Sequence, residues 1–417
     1  MLIAVLLFSA CLLMGFPIYT GLLAAGLYIQ LFVNHIPPDM IITALFNGIC
    51  KPSLLAIPFF LLAGGFMEHS SMSSRLVGSI KPWLKKVRGG VPLTALVANE
   101  IFGAMSGSAP AATATIGRAM LPAVTETNGE KFALGLLTSC GAIAIIMPPS
   151  INMIVYASAT DTSVGELFLA GIIPALIIFI IVGVYIVYKS KPVGEGKFDF
   201  HEAINALVKG LPVLFLPVIV LGGIYSGIFT PTEAGAVSAI YCLLLPLLFY
   251  KEYTWKIIKD TLFESVKLNA QIFILIASSI VFSQALTIAQ VPQNLALLLE
   301  GVSPFVFMVG LNVLLLVVGC FFDPVSAVLV LAPIIKPIAV QLGISPVHLG
   351  IIFTTNLAIG MFSPPFGLNL FVMQSLFKKP METIVKSIPP FFVLYLLALI
   401  IITYFPGLCL WLPQLLQ

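Results

Sequence analysis

The chain has 417 residues, 59% of them hydrophobic and only 9% charged, with a formal net charge of +3 and a mean hydropathy of +1.11. No water-soluble core can hide that much apolar surface, so a soluble globular protein is excluded. Apolar runs of about 18 residues or more fill almost the whole length and strand-type alternation is absent, which leaves a polytopic α-helical membrane protein rather than an outer-membrane barrel.

In chain order, the first spans lie near 1–13, 17–33 and 52–68. The first run leads directly into the second without a small-residue cleavage site, so no cleavable signal is expected. An amphipathic basic segment follows at 72–88 ("SSRLVGSIKPWLKKV"). It is too polar to span and suits the membrane surface. Two runs, 91–105 and 111–124, then flank "GAMSGSAPAATATIG". Runs of about 14–17 residues are short for a full crossing and suit a re-entrant hairpin. Spans at 132–158 and 167–188 complete a first unit, the former interrupted by Gly141 and by Pro148-Pro149.

The same order then recurs. Spans at 210–226, 232–250 and 267–286 precede a surface segment at 291–302, a pair of runs at 304–320 and 324–340, a span at 347–374 broken by Pro364-Pro365, and a last span at 384–405. Pro17 matches Pro231, Leu45 matches Leu262, Pro110 matches Pro324, Leu134-Gly135 matches Leu349-Gly350, and Pro148-Pro149 matches Pro364-Pro365. The offset stays between 214 and 217. The landmarks are residues that punctuate helices, so the chain is a duplication.

Each unit makes five crossings, because a hairpin returns to the side it entered from. Five is odd, so the second unit is inserted upside down, an arrangement of secondary transporters. With the N-terminus outside, the inner loops hold 17 of the 20 basic residues: Arg75, Lys81, Lys85, Lys86, Arg88, Lys131, Lys189, Lys191, Lys197, Lys209, Lys251, Lys256, Lys259, Lys267, Lys378, Lys379 and Lys386. Only Lys51 and Lys336 fall outside, and Arg118 lies within a hairpin. The positive-inside rule therefore supports N-out and C-out, with ten crossings and two hairpins entering from opposite faces. Residues 1–89 and 191–303 are expected to form a scaffold with an inner and an outer arm. Residues 90–190 and 304–417 are expected to form a mobile transport domain.

The hairpin tips carry the polar chemistry. Backbone freed at midplane depth is tolerated only where it lines a cavity or is buried in protein. "MSGSAP" offers the Ser106 and Ser108 hydroxyls, and the helix start at Pro110 aims N–H dipoles at an anion. The breaks around Gly141 and Pro148-Pro149 free carbonyls that can ligate a hard cation. The inverted partners are "GCFFDPVSA" and "FTTNLAIGMFSPPFGLNLF", with Asp323, Thr354, Thr355, Asn356, Gly360 and Asn369. Glu100 and Arg118 lie nine residues either side of Ala109, at matching depth in a hairpin, which predicts a structural ion pair. Asp323 has no basic partner in its hairpin, which suits a Na⁺ or H⁺ site.

The six cysteines are scattered and form no CxxC pair, and the four histidines sit in loops or at span ends, so neither disulfides nor a His–Cys metal cluster are expected. No GxxxxGK[ST] stretch is present to hydrolyse ATP. An intramembrane enzyme would need a Ser/His or Asp/Asp pair at midplane depth, and none is visible.

Five stretches, "GAMSGSAPAATATIGRAMLPAV", "IIMPPSINMIVYA", "GIFTPTEAGAVSA", "FFDPVSAVLVLAPIIKPIA" and "FSPPFGLNLFV", carry a resemblance that runs from end to end. The chain resembles the large membrane subunit of a tripartite ATP-independent periplasmic (TRAP) transporter, within the ion-transporter superfamily. The resemblance implies Na⁺-driven uptake of a small organic acid, such as sialic acid or a C4-dicarboxylate, by an elevator motion in a bacterial inner membrane. It implies a periplasmic substrate-binding protein and a small four-helix membrane subunit as partners, the latter a separate chain, and no nucleic acid. It implies that two or more Na⁺ ions bind at Ser106, Gly107, Ser108, Gly141, Pro148, Gly319, Asp323, Thr354, Thr355 and Gly360. The acid is expected at Ser108, Ser150, Asn152, Asn356 and Asn369. Ala109 stands where the family pattern has a second serine, one hydroxyl fewer at the first site. The alternative is a stand-alone Na⁺/dicarboxylate symporter of the same superfamily.

Overall fold

The protein is described here from a computed structural model covering residues 2–191, 199–299 and 301–416. Lys197 of the inner basic set and Glu300 of the outer segment lie outside the described residues. Every regular element among the described residues is helical. The first copy comprises α1 (Leu2–Leu13), α2 (Ile18–Tyr28), α3 (Pro38–Ile49), α4 (Ala56–Glu68), α5 (Met72–Leu84), α6 (Gly90–Ser106), α7 (Ala109–Asn128), α8 (Glu130–Cys140), α9 (Ile151–Thr160) and α10 (Val164–Lys189). The second comprises α11 (Phe200–Tyr225), α12 (Pro231–Leu244), α13 (Trp255–Ile288), α14 (Val291–Leu298), α15 (Pro304–Phe321), α16 (Pro324–Gln341), α17 (Pro346–Gly360), α18 (Leu368–Phe377), α19 (Met381–Val385), α20 (Pro389–Tyr404) and α21 (Pro406–Leu416).

Among the described residues, six helices are long and apolar enough to cross a bilayer unaided, and two bent pairs, α3 with α4 and α20 with α21, raise this to eight. The ten expected crossings agree with this only roughly. Length misses a span that is broken in the middle, as α8 with α9 and α17 with α18 are. It also admits α15 and α16, the 18-residue arms of the second hairpin. Helix α3 was not visible as an element in the sequence, since 34–51 mixes prolines and polar residues with its apolar positions.

Close approach between helices is set by glycines. A Cβ on Gly26 of α2 would lie 2.9 Å from the Phe282 backbone of α13. One on Gly235 of α12 would lie 3.1 Å from Phe59 Cβ of α4. The duplicated landmarks behave as a reciprocal pair: Gly135 of the first copy packs on Ser387 and Phe391 of the second, while Gly350 of the second packs on Tyr156 and Leu167 of the first. Such exchange of equivalent contacts is what a pseudo-two-fold relation between copies produces.

A second matched pair ties each hairpin to its own broken span. A Cβ on Gly103 would meet Ala144 Cα at 2.7 Å, and one on Gly319 would meet Gly360 Cα at 3.2 Å. Both members shift together (103 to 319, 144 to 360). In both copies, therefore, the first hairpin arm packs on its broken span at matching positions.

Candidate transport site

Helix α6 ends at Ser106, and Gly107 takes a left-handed conformation (φ 59°) that turns the chain into α7. A Cβ there would stand 2.9 Å from the Pro149 carbonyl oxygen, so both the conformation and the contact require glycine. The first tip thus rests on the first break, as its sequence suggested. Gly141 opens a 3₁₀ turn (Gly141–Ile145), and a Cβ on it would overlap the Thr113 hydroxyl of α7. Pro148-Pro149 closes the break before α9, with a cis peptide bond.

The second tip is built differently. Asp323 caps α16: its Oδ1 accepts from the Ser326 N–H at 3.0 Å, and the Ser326 hydroxyl donates to Oδ2. The Phe366 N–H donates to the Cys320 carbonyl at 3.2 Å, stitching the second break to its hairpin. Pro364-Pro365 is also cis.

A cavity of about 650 Å³ lies between the two tips and helices α4, α13 and α18. Gly107, Ser108 and Pro110 line it from the first tip, Asp323 and Pro324 from the second, Asn152 from α9, Leu61 and Glu68 from α4, and Gln271 and Ile272 from α13. Arg118 is its only cationic side chain among the described residues. The Asn152 amide nitrogen is buried without a hydrogen-bond partner.

The profile of the family described as "Tripartite ATP-independent periplasmic transporter, DctM component" matches residues 5–408. The chain belongs to this family. It is 40% identical to the C4-dicarboxylate TRAP transporter large permease protein DctM of Pseudomonas aeruginosa, covering 87% of this chain and 86% of that one. It is 33% identical to the 2,3-diketo-L-gulonate TRAP transporter large permease protein YiaN of Escherichia coli, covering 97% and 98%. It is 33% identical to the ectoine TRAP transporter large permease protein TeaC of Halomonas elongata, covering 97% and 96%. In three dimensions it resembles the YdaH transporter of Alcanivorax borkumensis, with a TM-score of 0.59 at 14% identity over 88% of this chain and 87% of that one. That likeness is one of fold.

For this TRAP large subunit, the expected site residues fall in several places. Ser108, Asn152, Gly107 and Asp323 line the cavity. Ser106, Gly141, Pro148, Gly319 and Gly360 form the tips and breaks behind it. Thr354 and Thr355 are fully buried on α17 and donate to the Gly350 and Ile351 carbonyls at 2.8 Å.

Ser150, Asn356 and Asn369, expected to hold the acid, do not line the cavity. The Ser150 hydroxyl donates to the Ile145 carbonyl at 2.5 Å and accepts from the Met153 N–H at 3.4 Å, so it closes the break and caps α9. The Asn356 amide donates to Asn312 at 2.7 Å. The Asn369 amide donates to the Thr138 carbonyl at 3.0 Å, joining α18 to α8.

The expected Glu100–Arg118 ion pair is not formed. Arg118 instead stands 4.0 Å from the Glu68 carboxylate across the cavity. Both Glu100 oxygens are buried without a hydrogen-bond partner, on the side of α6 that faces Cys140 and Tyr395. Equal distance from a turn fixes depth along a hairpin but not the direction in which a side chain leaves its helix.

Glu68, Gln271 and Thr113 were not singled out in the sequence. Gln271 carried a usable signal, a lone amide in "AQIFILIASSIVF". Glu68 carried none, because an acid at the end of a span is ordinary.

Proposed function

We propose that the chain is the membrane pathway for Na⁺-coupled import of a small organic anion delivered by a periplasmic binding protein. The observation that carries this reading is the cavity where both hairpin tips converge and Arg118 is the sole cation among the described residues. An anion taken from water needs a charge partner and oriented donors. Arg118 supplies the charge, and the Ser108 hydroxyl, the Asn152 amide and the α7 N-terminus supply donors. Two of the relatives are named for carboxylates, C4-dicarboxylate and 2,3-diketo-L-gulonate, which supports an anion.

Na⁺ is co-transported cargo. The first ion site takes Ser106, Gly107, Ser108 and carbonyls of the Gly141–Pro148 break. The second takes carbonyls around Gly319 and Gly360, with Thr354, Thr355 and the Asp323 charge nearby. All are hard oxygen ligands of the kind an alkali cation requires.

The scaffold is 1–89 with 191–303, and the moving body is 90–190 with 304–417. Glu68, Arg118, Gln271 and Ser375 lie toward the face that carries the basic loops, so the cavity of this state opens inward. A small membrane subunit docks on the scaffold, and both termini face the periplasm of a bacterial inner membrane.

The test is uptake into proteoliposomes holding this chain and its small subunit, with and without Na⁺ and the binding protein. Uptake of a carboxylate only when both are present supports the reading. Uptake without the binding protein favours the stand-alone symporter, and equal uptake in choline under a proton gradient overturns Na⁺ coupling.

A further inference from the structure

We infer that the pocket around Lys51 is the shut outer entrance of the transport path, and that Lys51 is the cation that first receives the incoming organic anion there. The inference rests on the reading of the chain as an anion importer. The pocket has a volume of about 260 Å³ and lies between α3 and α13 of the scaffold and α9 and α16 of the moving body.

Its walls repeat those of the larger cavity, taken from the opposite copy. Leu329, Pro333, Ala159 and Lys51 line the pocket. Their partners under the duplication, Ala114, Arg118, Ser375 and Leu268, line the cavity. These pairs (114 to 329, 118 to 333, 159 to 375, 51 to 268) keep offsets of 215 to 217, within the range that relates the two copies. Exchanging inverted copies exchanges the inward and outward faces of a transporter. The pocket is therefore the outer counterpart of the inward cavity, in its closed form. Helix α13 runs through both. Leu268, Gln271 and Leu275 face the cavity, and Ser279 and Ser283, the next positions of the same helical stripe, face the pocket.

Each vestibule carries one cation among the described residues, and the matched pairs exchange it. Arg118 of the moving body serves the cavity and has Pro333 as its outer partner, while Lys51 of the scaffold serves the pocket and has Leu268 as its inner partner. Polar bonds from the scaffold hold the pocket shut. Lys51 Nζ lies 2.7 Å from Asp161 Oδ1 and 2.7 Å from the Ser158 carbonyl, and the Ser279 hydroxyl donates to the Leu329 carbonyl at 2.7 Å. All three acceptors belong to the moving body and leave with it. An ammonium and a hydroxyl then face the entrance without partners, a donor set for a carboxylate. The Asp161 side chain is 84% exposed, so the lysine is released at little cost.

Ile276, a buried pocket residue next to Leu275 of the cavity, is the reporter position. Spheroplasts carry the full chain and its small subunit, with native cysteines removed and Ile276→Cys introduced. Two membrane-impermeant methanethiosulfonates, one bearing a sulfonate and one a trimethylammonium group, are applied from outside. The sulfonate is expected to be favoured, and Lys51→Gln to lower the ratio of the two rates about twentyfold. One unit charge a few ångströms away in water changes each rate about fivefold, in opposite directions. Lys51→Arg keeps the ratio. Asp161→Asn opens the same latch but leaves the lysine, so both reagents react faster and the sulfonate stays favoured. Equal ratios in Lys51→Gln and Asp161→Asn would make Lys51 a latch alone and overturn its role toward the anion. No outside labelling of Ile276→Cys, or of the second reporter Leu329→Cys, in any of these backgrounds would place the pocket off the path. Sulfonate-selective labelling of a chain that takes up no carboxylate would uphold the entrance and overturn the import reading.

Discussion

Lys51, in the turn between α3 and α4, reaches across the molecule to Asp161 at the end of α9, with Nζ 2.7 Å from Oδ1 and 2.7 Å from the Ser158 carbonyl. Lys336 of α16 donates to the Thr160 carbonyl beside it. The two lysines that depart from the positive-inside pattern thus both cap the same helix C-terminus, where positive charge is favoured. In the proposed division of the chain, Lys51 belongs to the scaffold and α9 to the moving body.

A contact that joins the two bodies in one state must break in the other. Lys51→Met is therefore expected to shift the protein away from the inward-open state. A cysteine placed at Ser375, with native cysteines removed, should then be labelled by a membrane-impermeant maleimide on the basic face up to about fivefold more slowly, since an exposed ion pair is worth about 0.2–1 kcal/mol. An unchanged rate would detach Lys51 from the motion.

Asp323 has two readings that one substitution separates. Asparagine caps a helix about as well as aspartate, so Asp323→Asn keeps the start of α16 while removing the charge. Thermal stability should hold, and the Na⁺ concentration for half-maximal uptake should rise several-fold. A stable variant with unaltered Na⁺ dependence would leave Asp323 as a helix cap alone.

Arg118 is expected to act on the anion rather than on the fold. Its partner Glu68 stands at 4.0 Å with both side chains partly exposed, so the pair contributes less than about 1 kcal/mol. Arg118→Gln should raise the KM for uptake at least about tenfold, the scale of one lost charge-assisted contact of about 1.5–3 kcal/mol, with little change in protein level. Glu68→Gln should leave KM within about twofold. Similar KM values for the two variants would make the contact structural.

Glu100 should be dispensable for stability. Both its oxygens are buried without partners. Removing such a group recovers a desolvation penalty of about 1–3 kcal/mol. Glu100→Met should raise the melting temperature in detergent, or leave it unchanged. A clear fall would reveal a partner that forms in another state.

Gly107→Ala should abolish uptake while sparing folding. Alanine at φ 59° costs about 1–2 kcal/mol and would also press on the Pro149 carbonyl. Gly310→Ala, where a Cβ meets nothing within 4 Å, is the control and should transport normally. Normal uptake by the Gly107 variant would show that the tip tolerates rearrangement.

Much of this protein is written locally. Hydropathy marks the helices, and prolines and glycines mark where they stop, because a missing N–H or a left-handed residue acts on its own turn of backbone. The duplication, both tips and both breaks were therefore legible in the chain itself, and so was the resemblance that the family match bears out. What the tertiary structure decided is which polar groups remain unspent. Ser150, Asn356 and Asn369 look like free ligands in the sequence, yet packing commits each to another segment. Glu100 and Arg118 share a depth but leave their helices in different directions, and Lys51 finds Asp161 110 positions away. In a membrane interior without water, a polar group takes whatever partner the rotation of neighbouring helices brings near, and that rotation is set by the packing of the whole bundle.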